Sequence, residues 1–162
     1  VSEQESGIAW GLRVLSELAP PGQVAATVVE QLQRLGREYT RDPEKKLVLL
    51  TWLQEHPDLT AARGAAEAPA RESALVALLE DCSDDVRIGA TRVLARQPPT
   101  EAGREALILL LLRDRDNARV RGEVLQALCD LGADVKGHRP SVEPLLVEPF
   151  FLDREGRVKR RG

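Results

Sequence analysis

DCSDDVRIGATRVLAR, residues 81–96, is the stretch that decides the fold, because a recognisable copy of it, DRDNARVRGEVLQALC, occupies residues 114–129. Aligned on Val86 and Val120, the two copies lie 34 residues apart, and apolar residues recur in both at offsets of 0, 4, 7 and 8 from these valines. Side chains at those offsets share one face of an α-helix. The sequence therefore predicts a repeat that contains an amphipathic helix.

The same pattern predicts helices along the rest of the chain. A third copy begins at LDREGRVKRRG, residues 152–162, where Val158 and Lys159 stand in place of the Val-Arg pair, and we expect it to form a helix. Helical spacing, capping residues and proline breaks predict further helices. Their expected bounds are residues 6–18, 23–38, 43–55, 71–80, 84–96, 101–112 and 118–131, with a short, weak helix over 59–68 and another unit opening at 141–152.

Composition favours a helical domain and gives no overall basic field. Of the 162 residues, 43% are hydrophobic and only 3% are aromatic, and small aliphatic side chains suit closely packed helices. The net charge is −3, so the chain as a whole does not attract nucleic acid or anionic lipid. We expect one all-α domain over residues 1–162, with degenerate repeats in 1–70, regular repeats in 71–133 and a partial final repeat in 140–162.

The repeat resembles HEAT repeats, in particular the short type also found in phycobilisome lyase subunits. The resemblance is carried by two-helix units with an aspartate before the second helix and Val-Arg inside it. It implies a right-handed α-solenoid of antiparallel helix pairs, in which each unit covers the apolar face of its neighbour. It also implies that the second helices line a concave surface.

The resemblance further implies a structural ladder of aspartate and arginine. Asp81 with Arg87, and Asp153 with Lys159, have the expected spacing. Arg121 belongs to the same ladder, but an arginine occupies the position expected for its aspartate. The partner of Arg121 is therefore left open at this stage.

The chain carries no constellation of residues that indicates an enzyme, a metal site or a bound cofactor. His56 and His138 stand alone, and Cys82 and Cys129 lack the spacing of a zinc site or a disulfide framework. There is no glycine-rich phosphate loop and no nucleophile elbow. The acidic cluster before residue 86 is interpreted as helix capping. We expect a non-catalytic protein without cofactors.

The predicted function is a protein–protein interaction scaffold whose concave surface holds a peptide or helix of a partner protein. Arginine–carboxylate pairs near the middle of this surface are expected to contribute most. The side chains that project from the predicted second helices, away from their apolar offsets, are Glu30, Arg34, Arg92, Arg96, Glu123, Gln126 and Asp130.

Three other functions stay open: binding of a nucleic-acid backbone, a lyase-like subunit that works with a partner chain, and a passive spacer within a larger protein. The chain begins without methionine and ends inside a repeat, so we expect a fragment that could self-associate through an open C-terminal repeat. Without a leader or a long apolar run, we expect an intracellular, cytoplasmic location and no membrane contact.

Overall fold

A computed structural model of the chain describes residues 3–36, 43–57 and 68–162, which form helices and one small antiparallel hairpin. The all-α class predicted from the sequence is confirmed. The helices are α1 (Glu3–Leu18), α2 (Pro21–Gly36), α3 (Glu44–Glu55), α4 (Ala68–Leu78), α5 (Asp84–Leu94), α6 (Glu101–Arg113), α7 (Ala118–Leu131) and α8 (Arg139–Val142), with 3-10 turns at Lys136–His138 and Glu143–Leu145 and strands β1 (Phe150–Leu152) and β2 (Val158–Arg160). Of the weak helix predicted over residues 59–68, all but Ala68 lies outside the described residues.

Side-chain caps set where α5, α6 and α7 begin. Ser83, Thr100 and Asn117 each accept a hydrogen bond from the backbone N–H three residues further on, which satisfies one of the free amides of the first turn. Gly132 ends α7 in the left-handed conformation, with φ 61°, which costs glycine little. Residues of these types can be recognised as helix caps in the sequence alone, and the predicted starts of α5, α6 and α7 are confirmed.

The helices pack in two layers. One layer places α1 beside α3, α3 beside α5 and α5 beside α7, and the other places α2 beside α4 and α4 beside α6. Contacts of α2 with α3, α4 with α5 and α6 with α7 join the layers. The predicted apolar offsets face this shared core, because Val86, Ala90, Val120 and Val124 are completely buried.

The assignment of α2 to the same row as α5 and α7 is wrong. Helix α2 packs in the layer of α4 and α6, whereas α3 packs directly against α5. The apolar spacing of α2 matched the repeat because every helix with one buried stripe shows it. That spacing carries no information about the layer to which a helix belongs.

The helix predicted over the last copy of the repeat is also wrong, because this stretch forms a β-hairpin. Phe150 pairs with Arg160 and Leu152 with Val158 in an antiparallel register. Gly156 turns the chain with φ 82°, and polar residues follow Val158, so no apolar helical stripe can form there. The hairpin packs on α7 through β2, and the expected open helical repeat is absent from this part of the described chain.

Candidate interaction surface

Five of the seven residues predicted to bind a partner line a single cleft between α5 and α7. Arg92 lies in the last turn of α5 and Arg96 lies just beyond the end of that helix, and the adjacent face of α7 supplies the other three side chains. The cleft has a volume of about 250 Å³, and we call it the α5–α7 cleft. Its lining residues are Gln54, Arg92, Ala95, Arg96, Glu123, Gln126, Ala127 and Asp130.

A bidentate ion pair crosses this cleft. Arg92 donates from Nε to Glu123 Oε2 at 3.1 Å and from a terminal nitrogen to Glu123 Oε1 at 2.5 Å. The hydrogen bond with Glu123 raises the pKa of Arg92. Because the Arg92 side chain is 53% exposed, solvent weakens the pair, and we expect it to orient the two side chains more than to stabilise the fold.

Arg96, unlike Arg92, contacts a backbone carbonyl oxygen instead of a carboxylate, so its positive charge is not neutralised by an ion pair in the described part of the chain. It donates to the carbonyl oxygen of Gln54, near the end of α3, at 3.3 Å. Among the described residues, no carboxylate lies within ion-pair distance of its guanidinium. Arg96 therefore presents a cation that is positioned by one backbone contact and remains able to bind an acidic group.

The far end of the α5–α7 cleft is closed by a hydrogen-bonded chain that reaches the hairpin. Gln126 donates to Asp130 at 2.8 Å and accepts a hydrogen bond from Arg160 of β2. Sequence reasoning missed Arg160, because it placed residues 152–162 in a helix. It also missed Gln54, because no sequence pattern indicated that α3 packs against α5. The alternation of apolar and charged residues around Val158 was the available signal for a strand.

A second cleft, between α3 and α5, borders the first and shares Gln54 and Arg92 with it. Its volume is about 260 Å³, and Asp85 and Arg119 form an ion pair at its rim. The two clefts together form a continuous polar surface, which we call the α3–α5–α7 face.

Glu30 and Arg34 are not part of this surface. Both are exposed on α2, in the other layer, and Arg34 donates to Gln31 of its own helix at 2.6 Å. Their assignment to the same binding surface as Arg92 is corrected here. The cause is the layer error described for α2.

The side-chain pairing of Asp81 with Arg87 predicted for the ladder is wrong, because the ion pairs observed join successive helix pairs instead. The Asp81 carboxylate binds Lys46 of α3 at 2.5 Å, and the Asp114 carboxylate binds Nε of Arg87 at 2.8 Å. Arg87 meets Asp81 only at its carbonyl oxygen, at 2.8 Å. Lys46 was missed because α3 lacks the Val-Arg signature.

The ladder does not continue to the hairpin. Arg121 donates to the carbonyl of Arg115 at 2.9 Å, as Arg87 does to Asp81, but its buried Nε has no hydrogen-bond partner among the described residues. Asp153 accepts the backbone N–H of Arg157 in the hairpin turn, and Lys159 is exposed. The expected Asp153–Lys159 rung is therefore wrong.

A carboxylate at the start of α5 connects the ladder to α7. Asp84 accepts hydrogen bonds from Asn117 at 3.0 Å and from Arg87 at 2.6 Å. The Asn117 hydrogen bond, followed by the charge and the hydrogen bond of Arg87, lowers the pKa of Asp84. The N-cap of α7 is thus tied to the first turn of α5.

The described part of the chain contains no group of three or more His, Cys, Asp or Glu residues placed to hold a metal ion. None of the helices in the described ranges has both the length and the apolar composition needed to cross a bilayer.

In comparisons with family models, curated proteins and solved structures, the chain gives no match. The resemblance to HEAT repeats therefore stays a prediction.

Proposed function

We propose that this chain is a non-catalytic interaction module, a HEAT-like right-handed α-solenoid that binds a peptide or helix of a partner protein on its α3–α5–α7 face. The observation that carries the proposal is the convergence of Arg92, Arg96, Glu123, Gln126 and Asp130 in one cleft. The two-layer packing, in which α1, α3, α5 and α7 follow one another, supports the solenoid.

The charges of the cleft favour a partner segment with an acidic residue. The Arg92 charge is already matched by Glu123, whereas Arg96 has no carboxylate partner among the described residues. An acidic side chain from a partner would complete the contacts of Arg96 by a charge-assisted hydrogen bond. The carboxylates of Glu123 and Asp130 at the rim would disfavour a more acidic segment.

Selection from a random peptide library against the purified protein tests this proposal. The Arg96→Glu variant is the probe. Arg34→Glu, which makes the same charge change on the other layer, is the matched control. Peptides selected by the native protein should carry an acidic residue, bind Arg96→Glu at least about tenfold more weakly, and bind Arg34→Glu unchanged.

The remaining outcomes decide between the alternatives. Duplex nucleic acid that binds the protein at about 50 mM salt and is lost by about 200 mM would favour a backbone-binding role and overturn the peptide proposal. Selection that enriches no peptide, together with no nucleic-acid binding, would indicate a passive spacer. Equal losses for Arg34→Glu and Arg96→Glu would also contradict the proposed face.

A further inference from the structure

Two cations beside α7 are not neutralised by any carboxylate of the described chain. Arg96, just beyond the end of α5, donates to the carbonyl oxygen of Gln54 at 3.3 Å. Arg160 of β2 donates to Gln126 Oε1, and its guanidinium carbon lies 5.6 Å from the centre of the Phe150 ring. Both arginines are exposed, and neither has a described carboxylate within ion-pair distance. Both positive charges are therefore accessible to a partner.

A carboxylate lies between these two cations. Asp130 belongs to the last turn of α7, and α7 packs against both α5 and β2. Asp130 is exposed and lines the α5–α7 cleft together with Arg96. It accepts a hydrogen bond from Gln126 at 2.8 Å, and no cation of the described residues lies within ion-pair distance of it. From α5 across α7 to β2, the surface thus presents a positive, a negative and again a positive charge.

A neutral amide keeps the last two of these charges apart. A guanidinium only donates and a carboxylate only accepts, so the Gln126 amide oxygen faces Arg160 and its nitrogen faces Asp130. These hydrogen bonds hold both charged groups in place and neutralise neither of them. An arrangement that is already formed lowers the cost of ordering side chains when a partner binds.

We propose that the partner segment bound by the α3–α5–α7 face carries an acidic, a basic and a second acidic residue, which pair with Arg96, Asp130 and Arg160. This inference rests on the proposed function and specifies the charge pattern of the partner. Packed helices have axes about 8–10 Å apart, so the two arginines, with α7 between them, lie on the order of 10–20 Å from each other. An extended chain covers that distance in about three to six residues.

The alternation of charge favours a protein segment over a uniform polyanion. A nucleic-acid strand or a purely acidic peptide can pair with both arginines, but it also brings negative charge to Asp130 and to the rim at Glu123. The net charge of −3 on the whole chain repels such a polyanion further. A segment with a basic residue between two acidic ones pairs with all three groups.

Peptide selection tests this charge pattern. Random peptides of about twelve residues, displayed on phage, are selected with the native protein at about 50 mM salt, where exposed charges are screened less than at physiological ionic strength. Enriched peptides should contain two acidic residues about three to six positions apart, with a lysine or arginine between them. Peptides with a single acidic residue, or with an uninterrupted acidic run, would overturn this inference and leave the proposed partner surface standing. No enrichment at all would overturn both.

Synthetic copies of the enriched peptides assign each contact. Changing one of the two acidic residues of the peptide to glutamine should weaken binding to the native protein about two- to fivefold and should have no effect on binding to Arg160→Gln, which already lacks that contact. The basic residue of the peptide should show the same relation to Asp130→Asn.

Matched variants complete the experiment. Arg154→Gln and Asp116→Asn remove exposed charges that do not line the α5–α7 cleft, so both should bind every peptide as the native protein does. Native affinity in Arg160→Gln or Asp130→Asn would overturn the inference. Losses that add to those of the peptide substitutions, instead of replacing them, would also overturn it.

Discussion

Helices α5 and α7 have the same apolar pattern, yet the Val-Arg pair that they share lies in different environments in the two helices. Arg87 of α5 meets the carboxylate of Asp114, whereas the Nε of Arg121 in α7 meets no acceptor among the described residues. The arginines themselves are alike, since each donates to a carbonyl six residues earlier. The difference lies in the element that packs next to each helix: α7 packs against α5, and strand β2 of the hairpin packs against α7.

This comparison shows that the ladder is a property of the contact between helix pairs. A repeat copied within the sequence reproduces the donor, but the acceptor comes from the next unit. Where the next unit changes from helix to hairpin, the acceptor is lost. Removing one partner should therefore lower the free energy of unfolding most at the Lys46 and Arg87 contacts, where a buried carboxylate is left unpaired, and least at Arg121.

The largest effect is expected from breaking the most buried rung. Lys46 and Asp81 have side chains that are 4% and 8% exposed, so Lys46→Met leaves a buried carboxylate without its cation. The free energy of unfolding should fall by about 3–5 kcal/mol in urea titrations.

Lys45→Met, on the residue next to it, serves as the control and should cost about 1 kcal/mol or less. The double variant Lys46→Met/Asp81→Asn should recover most of the loss, because no unpaired charge remains. A single Lys46→Met variant as stable as the control would contradict a buried ladder.

The direct test of the two copies is the same substitution in each. Arg87→Met should lower the free energy of unfolding by about 3 kcal/mol, because it leaves Asp114, whose side chain is 14% exposed, without a partner. Arg121→Met should lower the free energy of unfolding by about 1 kcal/mol or less, because methionine retains the apolar part of the side chain and no carboxylate loses its partner. Equal losses in the two variants would remove the distinction between the copies.

Glycines on the same two helices should respond with opposite signs. A Cβ on Gly89 of α5 would lie 3.0 Å from Cδ1 of the fully buried Leu50 of α3, so Gly89→Ala should destabilise the fold by about 1 kcal/mol. A Cβ on Gly122 of α7 meets nothing within 4 Å, and Gly122→Ala should stabilise by about 0.5–1 kcal/mol through helix propensity. Thermal unfolding of both variants reports the signs, and a stable Gly89→Ala would show that α3 and α5 can move apart.

The smallest expected effect is the loss of stability at low pH that results from protonation of Asp84. The pKa of Asp84 lies below its ordinary value of 3.8, so its ionised form stabilises the fold above that pH, and this contribution is lost as the pH falls through the lowered value. The stability difference between the native chain and Asp84→Asn should be constant from about pH 7 to 5 and should shrink below about pH 4. Urea titrations across this range measure it, and a difference that persists at pH 2.5 would assign the stabilisation to shape instead of charge.

The successes of sequence reasoning depended on local chemistry. The capping residues Ser83, Thr100 and Asn117 each bind a backbone N–H in the first turn of the helix that follows. Their effect can therefore be predicted from residues close together in the sequence. The α5–α7 cleft was also accessible, because the two copies of the repeat indicated the same exposed positions on both helices.

The failures depended on information that is not local. The layer of α2, the Lys46–Asp81 contact and the contribution of Arg160 to the cleft each require knowledge of which elements are neighbours in space. An apolar stripe predicts that a helix will be buried without naming the helix that buries it.

The sequence by itself determined that this chain is helical, where its central helices begin, and which side chains of α5 and α7 face the core, because turn chemistry and helical periodicity act over a few residues. Only the tertiary structure decided that α3 and α5 are neighbours, that α2 lies in the other layer, and that the ladder runs between helix pairs. Those features depend on distances between residues far apart in the chain, which are set by packing of the whole core.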